Sequence, residues 1–532
     1  MKNSNSASVG GGIGRYLQAK NLKADLPSSI VVFLVALPLC LGIALASGAP
    51  LFAGLLTGII GGVVVGAISG SQLSVSGPAA GLTTIVLASI TSLGDYQTFL
   101  MAVVLAGVFQ LLLGVIKAGT IGNYFPSSVI EGMLAGIGIL LIMKQLPHAL
   151  GVDSDFFGDE SFFQTDGENT FSALGNAMQH FTLAAIVISV VSILILVFWP
   201  KFKKLAVVPA PLVVVIVGIF GAIVFNGSAG ALKESQMVKI PVVNSASEFF
   251  GLFTTPNFSA FLNPKVLMVA LTIGVVASLE TLLSVEAVDK IDPLKRVTPT
   301  NRELLAQGLG NIASGMLGGL PMTAVIVRSS ANVNAGGRTK VSAIVHGLLL
   351  LLSLLFIPSL INMIPLSCLA AILLVTGYKL ARISLFKHMY RKGWDQFIPF
   401  VVTVVGVVGI DLLKGVGIGM AVSIFYLLRT NMRNPFFYRV QEEGNKKNIR
   451  IKLAEEVSFL NKASIQVLLS KIPDETNVII DGSNSRYIDP DVLEAIYNYK
   501  HNAYTKGIIV TLENIKKSYS IPKLNTKIID QN

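Results

Sequence analysis

Residues Gly318–Arg328 read GGLPMTAVIVR: two glycines, a proline two residues on, a short apolar run, then an arginine. The stretch lies inside a long hydrophobic region, where an ionised side chain is expensive. Ser74–Thr84 (SVSGPAAGLTT) repeats the pattern, with small residues, Gly-Pro and a short apolar run. A matched pair of interrupted hydrophobic segments in two halves of a membrane protein points to a transporter's binding site.

The bulk composition places both stretches in a membrane. Of 532 residues, 52% are hydrophobic and 13% charged, and the mean hydropathy is +0.68. Soluble domains carry roughly 25% charged residues. The net charge of +11 does not imply nucleic-acid binding, because Lys and Arg gather in short loops between apolar segments. Cys40 and Cys368 both lie in apolar runs without metal or redox spacing, so they read as small buried hydrophobes. No short apolar stretch with a cleavage site precedes the first long run.

A helical span needs about 20 apolar residues. Working outward from the two stretches gives fourteen segments. The first seven are Pro27–Ala46, Leu51–Gly70, Pro78–Leu93, Phe99–Ile116, Val129–Leu146, Phe181–Trp199 and Val207–Phe225. A polar gap follows. The second seven are Val266–Ala287, Leu304–Leu317, Met322–Val333, Val341–Leu360, Pro365–Tyr378, Phe397–Ile410 and Gly415–Leu428. In each set the third is short.

Loop charges orient the segments. Gly151–His180 carries Asp153, Asp155, Asp159, Glu160, Asp166 and Glu168 and no Lys or Arg, so it is expected outside. Lys201–Lys204, Lys290–Arg302, Arg338–Lys340 and Lys379–Lys392 supply the cations of the inside loops. Both termini are then cytoplasmic: a polar segment over 1–26, a transmembrane domain over 27–430 and a cytoplasmic domain over 436–532. In that last domain strands are predicted at Asn448–Leu453, Asn477–Asp481 and Gly507–Leu512, with helices at Asn461–Ser470 and Asp489–Tyr499. This is the rhythm of a small α/β fold.

The two short segments carry the binding chemistry. A helix that begins in mid-membrane presents free backbone N–H groups and its positive dipole end, which attract an anion. Pro78 suits a first helical turn, and Ala79, Ala80 and Gly81 admit close approach to the backbone. In the second half Thr323, Ala324, Val325 and Ile326 follow Pro321 and Met322. The plainer alternative is that Gly and Pro only kink these helices. Arg328 either raises the positive potential at this site or snorkels to the interface. Glu280 lies mid-segment, with Ser284 four residues on and so on the same face. Their oxygens could hold Na⁺, or Glu280 could carry a proton; alternatively Glu280 forms a structural ion pair with Arg328. Glu131 and His346 read as capping or hydrogen-bonded helix contacts. The sequence shows no catalytic constellation, so no enzyme is expected.

SVSGPAAGL (74–82), SLETLLS (278–284), GGLPMT (318–323), RSSANVNAGGRTKVSAIVHG (328–347) and DLLKGVGIGM (411–420) resemble the SulP family of inorganic-anion transporters, the solute carrier 26 group. NVIIDGSNSRYIDPDVLEAI (477–496) resembles a STAS domain. The resemblance implies an all-α polytopic domain of 14 segments in a 7+7 inverted repeat, with a core (segments 1 to 4 and 8 to 11) moving against a gate. It implies a homodimer in the cytoplasmic membrane. It places the anion at Ala79–Gly81 and Ala324–Ile326, and Na⁺ near Glu280 and Ser284. The pattern departs from the family at Leu39, where many members have Gln after Pro38. It departs again at Asp489-Pro490-Asp491, where STAS phosphorylation sites have Ser or Thr.

The expected function is secondary active transport of a small inorganic anion, bicarbonate or sulfate, coupled to Na⁺ or H⁺ in an elevator-like cycle. The alternatives are uncoupled anion exchange, a dicarboxylate carrier, and a nucleobase carrier of the same fold. Such carriers use carboxylates in the eighth and tenth segments, and the tenth here has none.

Overall fold

A computed structural model of the chain describes residues 18–152, 175, 181–202, 208–227, 230–240, 242, 246–433, 436–443 and 446–519. The chain divides into two compact units, one ending at Met420 and one beginning at Ala421. The acidic loop that orients the sequence reading, 153–168, lies outside the described residues, as does most of the N-terminal segment.

The first unit begins with α1 (Ala19–Ala46), which carries Pro27 and Pro38 inside it. Next comes α2, which runs Leu51–Ile60 and continues through a π-helical turn. A three-residue strand, β1 (Ser76–Pro78), precedes α3 (Thr83–Leu93), α4 (Tyr96–Val115), α5 (Ser127–Leu150), α6 (Leu183–Phe198) and α7 (Ala210–Phe225). A short α8 (Ala246–Gly251) leads into α9 (Pro264–Ile291) and α10 (Thr300–Leu317). A second short strand, β2 (Met322–Ala324), precedes α11 (Ile326–Asn334), α12 (Val341–Phe356) and a single turn, α13 (Pro358–Ile361). The unit closes with α14 (Leu366–Leu380), α15 (Ile383–Arg391) and α16 (Trp394–Gly409); α17 (Leu412–Arg433) begins in it and ends in the second.

Each of the fourteen apolar segments contains helix, but they differ in length. Among the described residues, 8 helices are long and apolar enough to cross a membrane by length and composition. The helices at Ala80–Leu93, Ala210–Phe225, Val341–Phe356 and Trp394–Gly409 are apolar but shorter. α10 and α11 are different in kind. α10 buries Glu303, Gln307, Asn311 and Ser314, and α11 buries Arg328, Ser329, Ser330 and Asn332. A helix wrapped by other helices meets protein rather than lipid, so its polar groups can be satisfied there.

Helix packing sorts into two groups. α4 packs against α9 and α10, and α1 against α2, α11 and α12. Elsewhere α5 packs against α14 and α16, and α6 against α7 and α14. Small residues permit the closest approaches. A Cβ at Gly107 on α4 would lie 2.7 Å from the Gly308 carbonyl oxygen on α10, and one at Gly138 on α5 would lie 2.6 Å from that of Gly377 on α14. Membrane helices associate through such backbone proximity, because lipid offers little hydrophobic drive between them.

The second unit contains a four-stranded sheet: β3 (Phe436–Glu443), β4 (Lys446–Leu453), β6 (Asn477–Asp481) and β8 (Ile509–Glu513), in that order. β3 pairs antiparallel with β4, and the β4–β6–β8 pairings are parallel. A small parallel pair joins β5 (Glu456–Val457) to β7 (Tyr487–Ile488). The helices are α18 (Lys462–Ser470) and α19 (Pro490–Ala503). Ile449, Ile451, Val478 and Ile480 from the sheet bury against Ile465, Leu469, Val492 and Ile496 from the helices. The sequence reading finds three of the four sheet strands and both helices, and misses β3. Arg450 bonds Asp481 at 2.8 Å and Glu513 through the same nitrogen. The guanidinium holds the Asp481 carboxyl down at about 2.

Candidate functional site

The two interrupted segments meet. β1 and β2 form an antiparallel pair with Ser76 opposite Ala324, Gly77 opposite Thr323 and Pro78 opposite Met322. Val325 N donates to Val75 O at 2.9 Å and extends the pair by one bond. Because the strands run in opposite directions, the helices that follow them leave in opposite directions, and both N-termini converge on the pair.

This corrects the sequence reading of both segments. Pro78 and Met322 are not first-turn residues of helices. They sit in strands, and regular α-helix begins only at Thr83 and Ile326. The reason is local. Pro78 and Pro321 disfavour helix in the residues before them, and Thr323 and Val325 are β-branched and suit an extended backbone. Arg328 consequently lies in the first turn of α11 rather than in its second.

The shift changes which amides are available. Ala324 N donates to Thr281 Oγ1 at 3.3 Å, and Val325 N is used by Val75. Thr323 Oγ1 donates to Ala324 O at 3.3 Å. The first helical bond of α11 is Ser329 N to Val325 O, at 3.0 Å. Ile326, Val327 and Arg328 thus supply the leading amides that a helix start leaves without intrahelical partners. On the other side Ala79 is extended, and Ala80–Leu82 forms a 3₁₀ turn before α3. Leu82 N returns to Ala79 O, so Ala80 and Gly81 supply the leading amides there. Ala80, Gly81 and Val325 are partly accessible, whereas Ala79, Thr323, Ala324 and Ile326 are buried.

Arg328 is fully buried, at 0% exposure, so it does not snorkel. Its Nε, Nη1 and Nη2 have no carboxylate, hydroxyl or carbonyl partner among the described residues; the buried Cys40 thiol is a polar neighbour. The guanidinium lies under β1, where a Cβ at Gly77 would meet Nη1 at 2.0 Å. A Cβ at Gly58 would lie 2.6 Å from Cys40 Sγ and 3.9 Å from the same Nη1. An unpaired buried cation costs several kcal/mol in effective desolvation. A negative charge placed at the pair would offset that cost.

Glu280 and Ser284 are both buried on α9, at 6% and 3% exposure. A Cβ at Gly81 would sit 3.2 Å from each Glu280 carboxylate oxygen. One turn of α9 therefore touches both broken segments, Glu280 at Gly81 and Thr281 at Ala324. No hydrogen bond joins Glu280 to Arg328. Glu131 pairs with Lys392 at 3.4 Å, and His346 Nδ1 contacts Ala343 O at 2.8 Å, as helix contacts do.

The sequence reading does not single out the polar stripe on α10. Gln307 Nε2 donates to Ser76 Oγ at 2.7 Å and to Glu303 Oε1 at 3.1 Å. Asn311 accepts from Met322 N at 2.7 Å and donates to Met322 O at 3.1 Å. It also donates to Gln110 Oε1 at 2.7 Å. Ser314 Oγ donates to Leu320 O at 2.6 Å. Residues 303, 307 and 311 recur every four positions and so share one face. That face grips both strands. The spacing was the available signal.

Residues 22–403 match the Sulfate permease family. The chain belongs to the sulfate permease family. It is therefore a multi-pass integral membrane permease and not an enzyme. Among its relatives is the putative sulfate transporter YvdB of Bacillus subtilis, 31% identical over 77% of this chain and 74% of the relative. The bicarbonate transporter BicA of Picosynechococcus sp. is 27% identical over 86% of this chain and 79% of its own length. The transmembrane domain of a cyanobacterial BicA superimposes with a TM-score of 0.54 at 25% identity, covering 77% of this chain and 98% of that domain. Murine Slc26a9 in an inward-facing state shares the fold, with a TM-score of 0.67 at 16% identity over 97% of this chain and 91% of its own.

Proposed function

We propose that this sulfate permease family member is a secondary active transporter of a small inorganic anion, sulfate or bicarbonate. One observation carries the reading. A fully buried arginine, with no carboxylate partner among the described residues, lies under a strand pair on which two helix N-termini converge. Such a place favours a negative charge through the leading amides, the helix dipoles and the guanidinium together. Mostly backbone donors suit an oxyanion with several equivalent oxygens. The names of the relatives support sulfate and bicarbonate as the first substrates to try.

Coupling is assigned to Glu280. Its carboxylate reaches the start of the first broken segment at Gly81, and Ser284 shares its face. A Na⁺ ion or a proton held there would neutralise Glu280 when the anion arrives, which links the two movements. The two packing groups suit an elevator-like cycle, in which α1–α4 and α9–α12 carry the site past α5–α7 and α14–α17. This amounts to a core and a gate in a 7+7 inverted repeat. The second unit is assigned as a STAS-like cytoplasmic domain, with the protein a homodimer in the cytoplasmic membrane and both termini inside.

Uncoupled exchange of chloride, bicarbonate or sulfate is the second reading, with Glu280 then structural. A dicarboxylate carrier remains an alternative substrate class. A nucleobase carrier is disfavoured because α11 has no carboxylate. The test is uptake of labelled bicarbonate, sulfate and succinate into proteoliposomes, with and without Na⁺ or proton gradients. Gradient-driven uptake of one inorganic anion supports the reading, and uptake indifferent to every gradient removes the symport claim.

A further inference from the structure

A second cationic cavity lies at the other end of α11. It has a volume of about 400 Å³ and is lined by Lys290, Lys295, Lys379, Arg382, His388 and Glu131, with Val333 and Asn334 at the α11 terminus. This size is within the usual range for small-ligand sites. The cavity is separated from the strand pair by the length of α11, roughly 13 Å at 1.5 Å per residue.

Its charges are not balanced internally. Lys290 Nζ is buried and has no hydrogen-bond partner among the described residues. Lys295, in the loop after α9, donates from Nζ to the Lys290 carbonyl oxygen, so both lysines belong to the C-terminal end of α9. The neighbouring acids are engaged elsewhere. Asp292 is bonded to Arg296 at 2.7 Å. Asp289 accepts from Thr298 N at 2.6 Å and from its hydroxyl at 2.7 Å. Glu131, the one carboxylate in the lining, gives one oxygen to Lys392 at 3.4 Å, and its Oε2 has no hydrogen-bond partner among the described residues. Glu286, one turn earlier on α9, acts electrostatically on Lys290 from outside the lining. Four cations and a histidine thus line this space with one carboxylate; Lys290 Nζ is buried among them, whereas Lys295, Lys379, Arg382 and His388 are exposed.

We propose that this cavity is a second anion site, distinct from the transport site, that takes a dianionic phosphate group. Lys and Arg side chains are the usual ligands of such a group. Lys290 and Lys295 come from the α9 end of one packing group, and Lys379, Arg382 and His388 come from α14, the link after it and α15 of the other. A bound phosphate bridges the two groups and holds them in the arrangement seen here, so it acts as a brake on transport. Inorganic phosphate and an anionic phospholipid head group present the same chemistry.

The test is thermal unfolding of the purified full-length protein in neutral-lipid nanodiscs. Inorganic phosphate is titrated against chloride at equal ionic strength, and a parallel arm uses nanodiscs containing phosphatidic acid. Wild type is expected to gain stability in at least one arm, and the responding arm identifies free phosphate or a lipid head group as the source. Lys290→Gln and the exposed Arg382→Gln are expected to weaken the half-saturating concentration roughly tenfold, while Lys290→Arg retains it. Arg328→Gln is expected to leave it unchanged, which separates this site from the transport site. No stabilisation of wild type in either arm overturns the proposal. So does equal stabilisation of Lys290→Gln and Arg382→Gln, or a loss confined to Arg328→Gln.

Discussion

Gly77 and Arg328 occupy one space: a Cβ on residue 77 would stand 2.0 Å from Nη1 of the guanidinium. The strand that carries Gly77 also pairs through that residue with Thr323, five positions before the arginine. The absence of a side chain at 77 is therefore what lets a buried cation lie against the backbone where the two segments cross.

Gly77→Ala forces Arg328 or β1 to move, and overpacking a close-packed site costs about 1–3 kcal/mol. The variant is expected to fold and to lose anion uptake at least tenfold, read as initial rates in proteoliposomes. A wild-type rate would separate Arg328 from the site.

Glu280→Gln keeps the side-chain volume and removes the charge. It is expected to abolish the dependence of uptake on a Na⁺ or proton gradient while leaving the gel-filtration profile unchanged. Gradient-driven uptake at the wild-type level in this variant would remove Glu280 from coupling.

Asn311→Ala deletes the two bonds that hold Met322 and leaves that residue's buried amide and carbonyl unpaired. Unsatisfied buried groups cost about 1–3 kcal/mol each. The melting temperature is expected to fall, and the apparent KM for the anion to rise more than kcat falls, because β2 loses its register. Gln307→Ala, acting on β1 through Ser76, is expected to behave alike. A fall in melting temperature with unchanged KM would make the stripe purely structural.

The second unit should show one pH signature. Arg450 holds the Asp481 carboxyl at about 2, below the roughly 3.9 of an unfolded chain. A depressed folded value adds stability above the unfolded value and loses it as pH falls through the folded one. The stability difference between wild type and Asp481→Asn is therefore expected to be constant above about pH 4 and to shrink toward pH 2. Hydrogen exchange of the β6 amides measures it. A difference that grows on acidification would contradict the assignment.

The sequence makes some parts of this architecture readable and hides others. The two interruptions are local, so Gly-Pro at 77–78 and Leu-Pro at 320–321 reveal them directly. Arg328 and Glu280 stand out because ionised side chains are rare in apolar runs. The pairing of β1 with β2 is different. Two three-residue strands about 245 positions apart carry almost no propensity, and their register is fixed by surrounding helices rather than by their own residues. The sequence reading accordingly starts the helices at Pro78 and Met322 and gives the anion the amides of Ala324 and Val325, which Thr281 and Val75 already occupy. α10 was legible only as an apolar segment. Its polar face at 303, 307 and 311 acquires a purpose once the strands it grips are in place. Asn434-Pro435 marks the break before β3, but Phe436–Glu443 turns charged toward its end and carries no strand periodicity that the sequence reading recognises.

The most direct test of the central claim is competition for the site itself. Uptake of labelled sulfate and bicarbonate is measured in proteoliposomes for wild type, Arg328→Lys and Arg328→Gln at matched protein density. Arg328→Gln is expected to lose uptake by tenfold or more, and Arg328→Lys to retain part of it with a raised KM, since a cation remains beneath Gly77. Uptake by Arg328→Gln equal to wild type, with the same KM, would contradict the placement of the anion at the strand crossing.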